Sequence, residues 1–341
     1  MLSPAQPLAL YMAGAVRNSF GKMGFGILRY SPNPVTCVID PEHAGEDMQS
    51  LGASPRPCPI VADVDEAVRM GAKVFVLGIA PPGGQIPADW FPKIDRAVQL
   101  GMSVVNGLHE PLAPRYPNLT GGQWVWDIRM EPEGLAPAIG AARHLPNRRV
   151  LMIGTDMAVG KMTAGLEIYR SACLRGVRAA FVATGQIGIT IMGTGVPLDA
   201  VRVDYAGGAI EREVLAARDA DLVIVEGQGA LIHPGSTANL PLLRGSCPTH
   251  LILCIRLGQT HLARIPEIAI PPLGDYLRLY EDLAEACGTF PRPRAAGVCA
   301  NTSDFAEPEA RAALEELERE LGLPCTDPVR FGVDNLLEAL F

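Results

Sequence analysis

Residues 150–163 read VLMIGTDMAVGKMT: an apolar run, a loop closing on Gly160 and Lys161, and the first turn of a helix. Leu151, Met152 and Ile153 supply a buried strand, and Ala164 to Leu174 continue as helix. A loop joining strand to helix in this way turns its backbone N–H groups and the positive end of the helix dipole toward one point, which favours a phosphate. Lys161 adds a positive charge at the same place. The residues assigned to this anion site are Gly154, Thr155, Asp156, Val159, Gly160, Lys161, Met162 and Thr163. The common phosphate-loop pattern, G-x-x-x-x-G-K-[ST], has a glycine where Thr155 stands here and a hydroxyl directly after the lysine. That place is taken by Met162, and Thr163 lies about 100° further round the helix. The anion cradle is kept while the hydroxyl that ligates a metal is displaced.

At 341 residues the chain calls for two domains. With 48% hydrophobic and 19% charged residues it is a globular rather than a disordered sequence. The net charge of −8, without a lysine- or arginine-rich run, argues against nucleic acid and anionic membrane as partners. Arg143, Arg148 and Arg149 cluster loosely and read as a solvated face. The opening MLSPAQPLALYMAG reads as a first strand rather than a signal peptide, and no apolar stretch reaches the length of a membrane span. The eight cysteines are scattered without a C-x-x-C pair, so they are expected to be reduced packing residues of a cytoplasmic protein, and no metal site is expected.

Outward from the loop, strand and helix signals alternate. Strands are predicted at 7–14, 36–40, 73–80 and 102–108, with helices at 63–70 and 90–100 between them. This pattern implies a parallel sheet covered by helices, a Rossmann-like domain over residues 1–135. Residues 136–148, rich in proline, glycine and alanine, read as a linker. A second α/β domain, doubly wound around the phosphate loop, spans 149–341. Its strands fall at 149–154, 179–185, 221–229, 250–256 and 294–301 and its helices at 161–175, 206–219, 275–287 and 308–321.

Ligands of such sheets sit at the carboxyl ends of strands. In DLVIVEGQGAL (221–231) a buried run ends on Glu226, and Gly227 and Gly229 allow close backbone approach. His233 follows in the same loop as a catalytic or binding candidate. The long connection 182–213 is rich in glycine. It holds Gln186 just past a strand end, together with Asp199 and Asp204, which are read either as site residues or as a helix cap and a solvated carboxylate. In WVWDIRMEP (124–132), Asp127 and Arg129 share one side of a strand, to pair with each other or to place Arg129 on a substrate carboxylate, with the inter-domain cleft as the expected place. Arg17 in GAVRNSFGKMGFG is a second carboxylate-binding candidate.

GTDMAVGK, VIVEGQG and the strand ending in CAN resemble the P-loop fold of dethiobiotin synthetase and its relatives, which bind ATP and magnesium. A fuller match runs through NGLHEPL, WDIRMEP, GTDMAVGKMT, FVATGQIGI, DAVRVDYAGGAIE, VEGQGALIHPG and LLRGSCPTHLILC. These blocks are similar to a bacterial two-domain family, Rossmann-like then P-loop, whose characterised activity is D-glutamate N-acetyltransferase. The resemblance implies acetyl transfer from acetyl-CoA to the amine of D-glutamate, a small amino-acid substrate, and a homo-oligomer. It also makes a methionine after the lysine a family trait. The phosphates of CoA suit the 154–163 loop, with Gln186 and Asn301 as further cofactor contacts. Glu226, Asp204 or His233 supplies the base, and Arg129, Arg17, Asp127 and Asp199 line the substrate. The alternatives are an Mg-ATP-dependent ligase or kinase on a small carboxylate and a non-catalytic nucleotide- or CoA-binding protein.

Overall fold

Short runs of branched and aliphatic residues, buried on both faces, build two all-parallel sheets in the computed structural model, which describes residues 2–341. The first sheet uses β1 (Leu8–Tyr11), β2 (Val35–Ile39), β3 (Ile60–Val61), β4 (Val74–Leu77), β5 (Ser103–Asn106) and β6 (Val125–Asp127), in the order β3-β2-β1-β4-β5-β6. The helices α1 (Lys22–Tyr30), α2 (Val64–Arg69) and α3 (Phe91–Gln99) connect them. Tyr11, Phe75, Leu77, Trp90 and Ile94 pack one side of this sheet into a core.

The second sheet is built from β7 (Arg148–Gly154), β8 (Ala179–Val182), β9 (Leu222–Val225), β10 (His250–Arg256), β13 (Arg294–Asn301) and β14 (Cys325–Thr326), in the order β14-β13-β10-β7-β9-β8. Around it lie α4 (Lys161–Leu174), α6 (Val203–Ala216), α7 (Asn239–Ser246), α8 (Leu273–Glu285), α9 (Glu307–Leu321) and α10 (Asp334–Leu340), and a small hairpin of β11 (His261–Leu262) and β12 (Ile265–Ala269). Among the described residues no helix is long and apolar enough to cross a membrane.

The chain divides into two units, and the division interrupts the expected 149–341 stretch. Gln186–Ala200 belongs with the residues up to Glu131, whereas Pro132–Gly185 and Val201–Phe341 form the other unit. The cause is a helix that the glycine-rich reading of 182–213 passed over. In α5 (Gln186–Met192) and the turn after it, Ile189, Ile191, Val196 and Leu198 are buried, and α5 packs on α1. The residues expected as a linker are not a free tether either. The buried carboxylate of Glu211 on α6 accepts the amides of Ile139 (2.9 Å) and Ala141 (2.5 Å). Gly208 lets that segment approach α6 so closely that a Cβ there would strike the Ala136 carbonyl.

One arginine departs from its expected solvated face. Arg149 is 1% exposed at the start of β7 and donates to the carbonyls of Ser246 and Cys247 (both 3.0 Å), Leu145 and Asn147 (both 2.9 Å) and to Asn147 Oδ1 (3.0 Å). It closes the carboxyl end of α7, whose last carbonyls lack helical partners. Arg149→Met keeps the apolar stem but leaves these oxygens unpaired, and is expected to lower the unfolding free energy by about 3 kcal/mol. Urea titration measures this; a change under about 0.5 kcal/mol would mean that the carbonyls find other donors.

Candidate active site

The phosphate loop takes the form its glycines permit. Gly160 precedes α4 with φ of 102°, a left-handed value that a side chain would strain, so the first turn of α4 opens directly onto the loop. Lys161 is 7% exposed, and its Nζ donates to the Asp156 carbonyl at 2.8 Å. Burial pulls its pKa down to about 8. Thr155 and Val159 are buried, and the Thr155 amide is used by the Cys254 carbonyl (3.2 Å), so both shape the loop. Met162 and Thr163 are half-buried in the first turn of α4. Asp156, expected to meet the cofactor, turns toward protein donors. It accepts from the Met157 amide (2.6 Å), Gln259 Nε2 (2.7 Å) and the Ala263 amide (2.8 Å), pinning the start of the β11–β12 hairpin.

Glu226 follows β9 and is 4% exposed. Its Oε2 accepts the amides of Thr184 (2.9 Å) and Gly185 (3.2 Å) just beyond the neighbouring β8. Burial raises its pKa to about 7, against the opposing pull of those two amides and of the Lys161 charge. A carboxyl poised there accepts or releases a proton near neutral pH. Gly185 and Gly227 hold the space tight. A Cβ on Gly185 would stand 3.2 Å from Glu226 Oε1, and one on Gly227 would collide with the Met152 carbonyl.

Two tyrosines of α8 tie these loops together. Tyr276 donates to the Gly154 carbonyl (3.1 Å) and accepts the Leu231 amide (3.0 Å), while Tyr280 accepts the same amide (3.1 Å) and donates to Asn239 Oδ1 (2.8 Å). Sequence reasoning missed them, together with Thr184 and Gly185. Their i, i+4 spacing on an otherwise amphipathic helix was the available signal.

The other candidates separate. His233 is half-buried, and its Nδ1 accepts the Gly235 amide (3.1 Å), shaping the turn after Glu226. Asp204 is exposed in the first turn of α6, where a carboxylate suits the helix dipole. Asn301 Oδ1 takes the Ser303 amide (3.0 Å) and so serves its own loop. Gln186 opens α5. Asp127 does not pair with Arg129. Its oxygens accept Asn106 Nδ2 (2.8 Å) and the amides of Leu112 (2.9 Å) and Ala113 (2.8 Å), a scaffold role. Arg129 instead bonds the Gly107 carbonyl (2.8 Å), His109 Nε2 (2.8 Å) and the carboxylate of Asp199. Arg17, largely exposed, donates to His43 Nε2 (3.1 Å) and reaches Glu46 (3.5 Å).

The Glu226 carboxyl is expected to titrate with a midpoint of about 7. Because the folded value lies above the ordinary one, the buried charge disfavours the fold increasingly as pH rises from 4.5 to about 7. Infrared difference spectra of the carboxyl band should show this midpoint, and Glu226→Gln should remove it together with that part of the pH dependence of unfolding. A midpoint at 4.5 would show a solvated carboxylate.

Comparison with known proteins agrees with this architecture. Residues 136–337 match the P-loop domain of the family described as a domain of unknown function, DUF1611, and residues 41–131 match its Rossmann-like N-terminal domain. A D-glutamate N-acetyltransferase from Tritonibacter scottomollicae is 32% identical over 98% of both chains. Another, from a Pseudoalteromonas species, is 35% identical over 81% of this chain and 83% of its own. The crystal structure of a DUF1611 family protein from Anabaena variabilis is 48% identical and superposes with a TM-score of 0.94, covering 98% of this chain and 99% of that one. With both of its domains matched, the chain belongs to the DUF1611 family.

Proposed function

We propose that this protein is a D-glutamate N-acetyltransferase that takes its acetyl group from acetyl-CoA. The reading is supported by its likeness to two relatives of that name along most of the chain. One structural observation carries the chemistry: a buried carboxyl, Glu226, with its pKa near 7, at the end of the strand next to the one that leads into the phosphate loop.

Acetyl transfer needs a neutral amine. As the amine nitrogen bonds the thioester carbonyl carbon and the carbon–sulfur bond breaks, one proton leaves the nitrogen and the sulfur leaves as thiolate, to be protonated. Glu226 is the acceptor of the amine proton, and it is ionised above about pH 7. The Thr184 and Gly185 amides are already engaged with its carboxylate, and the amides of 227–229 or of the residues after Gly185 serve as donors to the thioester oxygen. Gly160, Lys161 and the start of α4 hold phosphates of the donor. Met162 offers no hydroxyl to a magnesium ion, which suits a loop that holds phosphate without transferring it. The acceptor is a small amino acid. The cytoplasmic setting that we propose with this activity is supported by eight free cysteines.

With acetyl-CoA and a panel of D- and L-amino acids, free thiol should appear fastest with D-glutamate. No thiol release with any amino acid, alongside ADP formation from Mg-ATP, would turn the assignment to an ATP-dependent ligase or kinase. kcat/KM should fall below about pH 7 as Glu226 gains its proton. Glu226→Gln should lower it by roughly 10²–10⁴. Lys161→Ala should weaken acetyl-CoA binding at least about tenfold. Unchanged affinity in that variant would remove the loop from donor binding.

A further inference from the structure

We infer that Asp199 is an internal stand-in for a substrate carboxylate, occupying Arg129 until a dicarboxylic ligand displaces it. This deepens the proposed function and rests on it for the identity of the ligand.

Arg129 follows β6 with its side chain only 13% exposed. A guanidinium so sheltered needs acceptors on its nitrogens and an anion for its charge. Its Nε is satisfied by the Gly107 carbonyl, and its Nη1 reaches His109 Nε2. Burial and the Arg129 charge hold the His109 pKa below its ordinary value, so that ring is a neutral acceptor. Among the described residues its anion is Asp199, whose side chain is 46% exposed on the short turn Leu198–Ala200.

The pairing is lopsided. Asp199 meets Nη1 alone, a nitrogen it shares with His109, and Nη2 makes no hydrogen bond among the described residues. A carboxylate free to approach end-on can bridge Nη1 and Nη2 together, the two-pronged geometry that a guanidinium holds best. An incoming carboxylate therefore gains a contact that Asp199 does not make. Asp199, half in solvent, loses little on release, because an ion pair open to water is worth little. The exchange keeps the sheltered cation neutralised throughout. Its thermodynamic signature is competition: apparent affinity falls in proportion to the fraction of molecules in which Asp199 holds the site.

Calorimetric titration of the full chain tests this with glutarate, a dicarboxylate without an amine, and with D-glutamate. Asp199→Asn keeps size and polarity but removes the charge, and should tighten glutarate binding about two- to fivefold, with a matching fall in KM for D-glutamate. Arg129→Gln should weaken glutarate at least about tenfold, and Arg129→Lys, which keeps the charge without the fork, should fall between. In the Arg129→Gln background, Asp199→Asn should bring no gain. Weaker or unchanged glutarate binding in Asp199→Asn, or a gain that survives without Arg129, overturns the exchange. Because glutarate binding needs no acetyl-CoA, a protein that binds glutarate as described but acetylates nothing would sink the proposed reaction and leave the exchange standing.

Discussion

Two buried charges of opposite sign, Lys161 and Glu226, stand at the carboxyl ends of neighbouring parallel strands, and much of the second unit is arranged to keep them there. β7 and β9 are paired in register from Arg148 opposite Leu222 to Leu151 opposite Val225, so Glu226 leaves the sheet beside the strand that continues into the phosphate loop. Burial works against the charge of both groups. It drives Lys161 down to about 8 and Glu226 up to about 7, while each one's charge opposes the other's shift. Their titrations are therefore linked, and a phosphate set against Lys161 would raise its pKa and take away part of the pull on Glu226.

Holding such groups requires every surrounding polar atom to be occupied, and the backbone does most of this. Oε2 of Glu226 is met by two amides, and Nζ of Lys161 by a carbonyl of its own loop. Tyr276 spans the two loops with one hydroxyl that donates to Gly154 and accepts from Leu231. A phenol can do both at once while its ring packs edge-on against Tyr280, 5.1 Å between centroids. At the opposite end of β7, Arg149 fastens the strand to the carboxyl end of α7 by the same device, a buried cation fed by carbonyls. The central strand is thus anchored at both ends by long cationic or aromatic side chains that reach main-chain oxygens.

The inner strands of both sheets were legible because strands buried on both faces write themselves as unbroken apolar runs, whereas the two-residue edge strands β3 and β14 are too short to leave such a run. The strands expected at 149–154, 250–256 and 294–301 correspond to β7, β10 and β13 within a residue. What escaped has a physical reason in each case. The helix α5, QIGITIM, is short, β-branched and glycine-containing, so its composition reads as strand or loop until its isoleucines find α1. Glu226 and Lys161 were legible because position at a strand end constrains a side chain strongly. Asp127 and Arg129 were not, since strand alternation puts both on one side without saying which donors wait there. Asp127 met the amides of 112 and 113, and Arg129 met a carboxylate seventy residues away. His109 lay in the quoted block NGLHEPL, but only the fold brings it to Arg129.

The departures of the phosphate loop from the common pattern carry more chemical information than its agreements. Gly160 and Lys161 keep what any phosphate needs: an open helix start and a cation. A loop that transfers phosphate also needs oxygen ligands for a metal, and here the hydroxyl directly after the lysine is replaced by Met162. Nor is Asp156, the one carboxylate within the loop, spare, since it is spent on the Met157 and Ala263 amides and on Gln259. The buried group beside the loop is the Glu226 carboxyl, which titrates near neutral pH. Its oxygen is held by Thr184 and Gly185, and the chain runs on from there without a break through α5 to Asp199. One continuous stretch of sixteen residues, 184–199, thus joins the amides that position Glu226 to the carboxylate paired with Arg129. Within that stretch the glycines and small polar residues leave room for Ile189, Ile191, Val196 and Leu198 to be buried, while Asp199 stays exposed at its end.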